Sequence, residues 1–190
     1  MACEKKRCGW VKLSEPIYVE YHDNEWGREL HDDRALFELF SLETQASGLS
    51  WLTVLKKREG YREAFEGFDL ARVASYGADD VERIFASALT IKSRPKIEAI
   101  INNAKGFVNI VQEFGSLNEY FWRHVNYAAK RNDIPDYKSG PCQSDISDAI
   151  NKDLKKRGFK FIGSVTIYAF MQACGMVEDH ENGCFCKSKN

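Results

Sequence analysis

The sequence predicts an all-α fold, and three observations support this. Apolar residues recur at helical spacing along most of the 190-residue chain, whereas the period-two alternation that marks half-buried strands is nearly absent. Residues that cap helices precede many of the apolar segments, and glycines follow several of them. The length suits one hydrophobic core, so we expect a single unit over residues 1–190.

Capping residues define the helices that we predict in the first half of the chain. Aspartate and serine side chains accept hydrogen bonds from the free amides of a first helical turn, and glycine ends a helix in a left-handed conformation. In order, the predicted helices are one capped by Asp32 or Asp33 and ended by Gly48, one capped by Ser50 over residues 51 to about 59, one through Tyr61 and Phe65, and two short ones begun by Asp69 and Asp79.

The second half contains a long helix, a loop and two closing helices. Pro95 suits the first turn of the long helix, which runs from about residue 95 to 114, and Gly115 follows its end. Ser116 begins another helix. Residues 127–143 lose the apolar period and contain Pro135 and Pro141, so we predict a loop there. The closing helices are expected at about 145–157 and 164–174.

Composition restricts the class of protein. No signal peptide or membrane-spanning segment is evident, so we expect a cytoplasmic protein without a membrane partner. In that compartment the six cysteines favour reduced thiols and metal binding over disulfides. The formal net charge of −1 gives no overall attraction to nucleic acid, so any nucleic-acid function needs local basic patches.

Two cysteines and two histidines near the chain ends resemble one metal site. Cys8 and His22 lie at the start, and His180 and Cys184, four residues apart, lie at the finish. Two thiolates and two imidazoles are a preferred zinc set, and four protein ligands leave no open position for chemistry. We therefore expect one structural Zn²⁺ per chain that joins segments 8–22 and 180–184. Closing a loop of roughly 160 residues through the metal ion could stabilise the fold by about 5 kcal/mol.

Residues 155–166 join the two closing helices through glycines and aromatics, as in a helix-hairpin-helix over about 145–174. Gly163 would let the backbone approach a DNA phosphate, and the first amides of the next helix, from Ser164, would bind it. Lys160 and residues 155–157 add positive charge. On this segment alone, an αα-corner with a basic surface is an equal alternative.

Taken together, these features resemble the 3-methyladenine DNA glycosylase I family of the helix-hairpin-helix superfamily. The resemblance covers the chain from residue 8 onward. It implies a DNA repair enzyme that hydrolyses the N-glycosidic bond of 3-methyladenine in alkylated double-stranded DNA by base flipping and leaves an abasic site. The residues that carry the resemblance are 8–10, Tyr18, 21–27, 42–43, 48–51, 155–163, His180 and Cys184.

The resemblance also implies roles for individual residues. It assigns the zinc ligands to Cys8, His22, His180 and Cys184, with Cys186 as a substitute. It places Glu43 in the base pocket as the catalytic residue, mainly a recognition and electrostatic group, with activation of water as a secondary role. A flipped cationic purine would lie between aromatic faces, Tyr21 and Trp51, because cation–π attraction favours it over neutral adenine. Tyr18, Trp10 and Trp26 are further pocket walls. Without the resemblance, the more common explanations apply: Glu43 would be a solvated surface residue, and these aromatic residues would be core.

Departures from the superfamily pattern refine the expected reaction. Lyase members place a lysine after the hairpin glycine, where this chain has residues 164–166 without one, so we expect no lyase activity. Glu178 occupies the position of an aspartate found in many members and stays a candidate, while Asp179 could orient His180. Leu49, exposed by the Gly48 turn, is the predicted wedge that fills the gap left by the base, with a buried leucine as the alternative.

Two other functions remain open at this stage. One is a non-catalytic DNA-binding or damage-recognition module that is held together by zinc and cleaves no bond. The other is a zinc hydrolase with His22, Glu25 and His180 around an activated water, against which Cys8 and Cys184 argue because they would complete the coordination sphere. We expect the glycosylase, acting as a monomer in a bacterial cytoplasm, with 3-methyladenine as product.

Overall fold

The computed structural model describes residues 5–188, and within them the fold is mainly helical, as predicted. Two short 3₁₀ turns, Glu66–Phe68 and Arg123–Val125, and two two-residue strands accompany the helices. The α-helices are α1 Pro16–Asn24, α2 Asp33–Gln45, α3 Trp51–Leu55, α4 Arg58–Ala64, α5 Leu70–Ser75, α6 Ala78–Ser87, α7 Arg94–Phe114, α8 Leu117–Trp122, α9 Asp145–Lys156 and α10 Ser164–Ala173. The strands are β1 Lys130–Arg131 and β2 Val177–Glu178.

Most of the predicted caps are confirmed. Asp32, Ser50, Asp69 and Ser116 each accept a hydrogen bond from a backbone amide three residues later. Each carboxylate or hydroxyl thereby satisfies a donor that has no partner within its helix. Gly48, with a φ of 75°, lies in the left-handed region after α2. The two closing helices, α9 and α10, end within one residue of the predicted positions.

The helices differ from the prediction in three places. The helix expected over residues 51–59 is divided into α3 and α4, and α4 contains Gly60. The break lets Tyr61 enter the core, where its hydroxyl donates to Gln45 Oε1 and accepts from the Ile91 amide. The helix expected from Asp79 begins one residue earlier, with Gly77 as its N-cap. Helix α1 was not predicted because its apolar residues show no clear helical period.

The predicted loop at 127–143 contains β1, which pairs in parallel with β2 just after α10. The Lys130 amide donates to Met176 O at 2.9 Å, and the Asn132 amide donates to Glu178 O at 3.2 Å. Strands of two residues leave no periodic signal, so the sequence could not predict them. Their consequence is that the loop is fastened to the segment that follows the hairpin.

The core lies around α7, against which α2, α5, α6 and α8 pack. Edge-to-face aromatic pairs occupy its centre, and Phe107 of α7 lies 4.8 Å from Phe40 and 4.7 Å from Phe159 between ring centroids. Such pairs add about 0.5–1.5 kcal/mol beyond their buried area. None of the helices within residues 5–188 combines the length and apolar character needed to cross a bilayer.

Gly106 lets α7 approach the start of the hairpin. A Cβ at this position would lie 2.4 Å from Phe159 Cε2, which is closer than van der Waals contact permits. We predict that Gly106→Ala lowers the free energy of unfolding by about 1–3 kcal/mol, because overpacking outweighs the helix propensity gained. Chemical denaturation measures this. Lys105→Ala, on the exposed face of α7, should change stability by less than about 0.5 kcal/mol. Increased stability of Gly106→Ala would contradict the prediction.

Candidate active site and metal centre

A cavity of about 520 Å³ opens beside α1, α3, α10 and the 134–142 segment of the loop. Its lining includes every aromatic residue predicted for the base pocket together with Glu43. It is large enough to admit a nucleobase. The predicted residues that line it are Trp10, Tyr18, Tyr21, Trp26, Glu43 and Trp51, and further lining residues include Tyr137, Val165, Tyr168, Gln172 and Asp179.

Two short helices present the aromatic walls. Tyr18 and Tyr21 are three residues apart on α1, so they share one face of the helix. The Ser50 cap makes Trp51 the first residue of α3, and its ring centroid lies 5.4 Å from that of Tyr21. Trp10 lies 5.0 Å from Tyr18 and 5.1 Å from Trp26. These electron-rich faces line a site suited to a flat, cationic ligand.

Glu43 lies near the end of α2 and is 8% exposed. Burial raises the pKa of its carboxyl group from 4.5 to about 8. Desolvation penalises the charged form, and no opposite charge offsets that penalty. A carboxyl group kept near neutrality in an aromatic cavity is a candidate functional group rather than a solvated surface residue, the alternative that the sequence left open.

Four buried side chains converge as a possible metal site. The ligand atoms of His22, His180, Cys184 and Cys186 all lie within 4.8 Å of one another. His22 Nδ1 lies 2.8 Å from Asp23 Oδ1, and this contact leaves Nε2 directed toward the group, 3.4 Å from Cys184 Sγ. His180 Nε2 is buried without a hydrogen-bond partner among the described residues. A buried imidazole nitrogen without a partner, next to a second imidazole and two thiols, fits a zinc ion.

Cys8, the remaining predicted ligand, contacts this group but is not one of its four members. Its Sγ accepts from the Glu181 amide at 3.3 Å, and a hydrogen bond with its thiol lowers the pKa of Cys184 well below the ordinary value of a thiol. Cys186 instead donates weakly to the carbonyl oxygens of His22 and Asp23, at 3.9 and 3.8 Å. Five candidate ligands therefore surround a site that needs four.

The structure corrects the roles expected for the two acids before His180. Glu178, and not Asp179, contacts His180 Nδ1, at 2.7 Å, and also pairs with Lys187 Nζ at 2.9 Å. Asp179 faces the cavity and accepts from Tyr168, Gln172 and Asn132 at 2.7–2.8 Å. No sequence signal predicts this exchange, because so short and irregular a segment has no fixed side-chain period.

The connection between α9 and α10 leaves its backbone open. Gly163 is the extended N-cap of α10, and no atom lies within 4 Å of where a Cβ would be. Lys160 is exposed, and its amide and carbonyl are held by the Asn103 side chain. Ser164 Oγ is 2.8 Å from Ser147 Oγ, which joins the two helices. Of the basic run at 155–157, Arg157 is paired with Glu113 and Asp153.

Two other predicted positions can be located. Leu49 is 42% exposed, which disfavours the alternative of a buried leucine. The Lys96 ammonium supports the preceding turn by donating to Gln45 O and Ser47 O, at 2.7 and 2.8 Å.

Glu25 forms a bidentate ion pair with Arg58, with N···O distances of 2.5 and 2.9 Å, so its carboxylate is directed away from the metal group. That engagement argues against a zinc hydrolase.

Known proteins share this architecture. Residues 10–187 match the family model described as methyladenine glycosylase. DNA-3-methyladenine glycosylase of Haemophilus influenzae is 46% identical over 182 residues, covering 96% of this chain and 98% of that protein. Escherichia coli DNA-3-methyladenine glycosylase 1 is 46% identical over 185 residues, covering 97% and 98%.

Solved structures agree with these sequence matches. A crystal structure of 3-methyladenine DNA glycosylase I has a TM-score of 0.92 at 46% identity, covering 96% of this chain and 100% of the other. The Staphylococcus aureus 3-methyladenine DNA glycosylase I, studied for its recognition of 3-methyladenine, has a TM-score of 0.93 at 39% identity, covering 97% of each chain. On sequence and structure together, this chain belongs to the methyladenine glycosylase family.

Proposed function

We propose that this protein is a DNA glycosylase that hydrolyses the N-glycosidic bond of 3-methyladenine in alkylated double-stranded DNA. The observation that carries the proposal is the buried Glu43 carboxyl group inside an aromatic cavity, and membership of the methyladenine glycosylase family supports it. The products would be the free base and an abasic site. Because the substrate is chromosomal DNA, the proposed place of action is the bacterial cytoplasm, and the proposed active form is a monomer of one unit.

Selection of the damaged base follows from charge. N3-alkylated adenine in DNA is a cation, so the faces of Tyr21 and Trp51 attract it by about 0.5–2 kcal/mol more than they attract neutral adenine. The Glu43 carboxylate can accept a hydrogen bond from the exocyclic amine and complement the positive charge. Trp10, Tyr18 and Trp26 would enclose the remaining edges of the base.

The same charge makes the chemical step easy. When the bond between C1′ and the base breaks, the electron pair leaves with the cationic base, which departs neutral. Water then adds to C1′ and loses its proton to solvent, so that a hydroxyl group replaces the base. Residues 164–166 contain no lysine that could attack C1′, which supports hydrolysis without strand cleavage.

Access to the cavity requires the base to leave the helical stack. Leu49, exposed beside Trp51, is the proposed wedge in the vacated space. The α9–α10 connection is the proposed helix-hairpin-helix, in which Gly163 and Ser164 would contact a phosphate through backbone amides and Lys160 would add charge. These contacts would act on the backbone of any DNA sequence.

The metal group would have a structural role. We propose that Cys8, His22, His180 and Cys184 hold one Zn²⁺ in a closed tetrahedral site. Cys8 is preferred over Cys186 because the family resemblance places a ligand at that position, and because the thiol of Cys186 donates to the carbonyl oxygens of His22 and Asp23. Since His22 follows Tyr21 directly, the ion would also fix the helix that presents an aromatic wall.

The first test concerns Glu43 and pH. Because a pKa of about 8 leaves the free enzyme partly neutral below that pH, we predict that kcat/KM for release of 3-methyladenine from methylated DNA rises up to about pH 8. Glu43→Gln should lose this dependence and be about 10- to 100-fold slower at pH 8.5, as expected for a lost hydrogen bond to a charged group. Chromatography of liberated bases measures both effects.

Two controls separate catalysis from folding. Glu20→Gln removes an exposed carboxylate of α1 and should retain full activity. Glu43→Gln should remain folded at pH 8.5, because a pKa raised from 4.5 means that the carboxyl contributes stability at low pH that is lost by about pH 8. A wild-type protein that binds methylated DNA but releases no base would instead identify the non-catalytic damage-recognition module.

The second test concerns the metal. We predict one zinc per chain by elemental analysis, and a lowered thermal midpoint after chelation, because up to about 5 kcal/mol of loop constraint is lost. Cys8→Ser and Cys184→Ser should lose the ion, whereas Cys186→Ser and the exposed control Cys142→Ser should keep it. Retention by Cys8→Ser together with loss by Cys186→Ser would show that Cys186 is the fourth ligand.

The third test concerns the hairpin. Lys160→Ala should weaken binding to undamaged duplexes of different sequence to a similar extent and reduce the salt slope of log K by about 1. Fluorescence anisotropy at several salt concentrations measures this. Lys12→Ala, an exposed charge removal outside the hairpin, is the control. An unchanged salt slope for Lys160→Ala would remove this residue from the DNA interface.

A further inference from the structure

Glu181 is a buried carboxylate that neither lines the cavity nor belongs to the metal group. It lies between His180 and Cys184 and is 7% exposed. Its Oε1 accepts two backbone hydrogen bonds, from the Gly9 amide at 2.9 Å and from the Tyr137 amide at 3.0 Å. One oxygen atom therefore joins two segments that are more than 120 residues apart in the sequence.

Both segments supply walls of the cavity. Gly9 precedes Trp10, and Tyr137 itself lines the cavity from the loop. The approach is close, because a Cβ on Gly9 would lie 3.1 Å from the Tyr137 ring and 3.2 Å from Glu181 Oε1. The separation between Trp10 and the Tyr137 loop thus depends on where this carboxylate lies.

The backbone around Glu181 is itself well fixed. Its amide donates to Cys8 Sγ at 3.3 Å, and its carbonyl accepts from the Cys184 amide at 2.8 Å. The next residue, Asn182, exchanges hydrogen bonds with Ile134: its amide donates to the Ile134 carbonyl, and its side-chain oxygen accepts from the Ile134 amide. The tight turn at 181–184 is therefore held by backbone hydrogen bonds and is itself hydrogen-bonded to the loop.

We propose that Glu181 is a positioning residue for the base pocket, setting the spacing of its Trp10 and Tyr137 walls through the two hydrogen bonds to Oε1. The inference rests on the proposed function of the cavity as the base-binding site. Glu181 acts through its neighbours and does not touch the base. Charge is not required for this role, because any acceptor oxygen at the same place would hold both amides.

The experiment compares Glu181→Ala with Glu181→Gln. Because a displacement of about 1 Å can cost about 100-fold in a pocket, Glu181→Ala should raise KM for methylated DNA at least about 10-fold while kcat changes less than about 3-fold. Glu181→Gln retains an acceptor oxygen and should restore KM to within about 3-fold of wild type. Fluorescence titration with free 3-methyladenine, through the cavity tryptophans, should show the same order of affinities.

Several results would overturn the inference. They are a Glu181→Ala variant with wild-type affinity, a Glu181→Gln variant as impaired as Glu181→Ala, and loss of zinc from Glu181→Gln, which would assign the residue to the metal centre. Glu20→Ala, which removes an exposed carboxylate, is the control. If Glu181→Ala does not fold, the Gly9→Ala variant tests the inference instead. Its Cβ would crowd the Tyr137 ring and Glu181 Oε1, so it should raise KM without altering the zinc content.

The proposed function and this inference fail in different ways. A wild-type protein that neither binds 3-methyladenine nor releases it contradicts the proposed function. A wild-type protein that does both, with Glu181→Ala behaving identically, contradicts only the positioning role.

Discussion

An ionisable group buried without a counter-charge is the constraint on which the functional part of this structure depends. Burial of Glu43 raises its pKa to about 8, so the ionised carboxylate is unfavourable in the folded protein. The surrounding structure must hold that side chain in place, since exposure to water would remove the free-energy cost of ionising a buried carboxyl group. It does so with aromatic walls and with a helix, α2, whose residues Leu36, Phe37, Phe40 and Leu42 are buried in the main core.

The walls of the cavity come from separate parts of the chain, and one short segment connects them. Glu178 and His180 face the metal group, whereas Asp179 contacts side chains of α10 and the loop, and Glu181 joins the loop to the N-terminal segment. Residues 178–184 are thus shared by the metal centre and the cavity. A metal ion bound by this group would therefore influence the shape of the cavity without supplying any chemistry.

Much of the fold was predictable because its signals are local. Caps such as Asp32 and Ser50 act on amides three residues away, and the long apolar period of α7 needs no knowledge of the rest of the fold. The division of the predicted 51–59 helix was not predictable, since it depends on Tyr61 reaching Gln45 across the core. Tertiary contacts of this kind override propensity.

The candidate site, like the fold, was only partly predictable from the sequence. The aromatic residues and Glu43 could be proposed from their resemblance to a family, and the structure brings them around one cavity. The loop wall with Tyr137, the exchange of roles between Glu178 and Asp179, and the link through Glu181 depend on contacts between distant irregular segments. No periodicity or capping rule applies to such segments, so only the structure could reveal them.

The raised pKa of Glu43 bears directly on the proposed selectivity. With a pKa of about 8, ionising the carboxyl group at pH 7 costs about 1.4 kcal/mol. A cationic base bound about 4 Å away, as the proposed function requires, would return about 4 kcal/mol at an effective dielectric constant of about 20, which exceeds that cost. Neutral adenine returns no such Coulomb energy, so it meets a neutral carboxyl group. Under the proposed function, the same desolvation would therefore favour the charged pair when a damaged base supplies the cation.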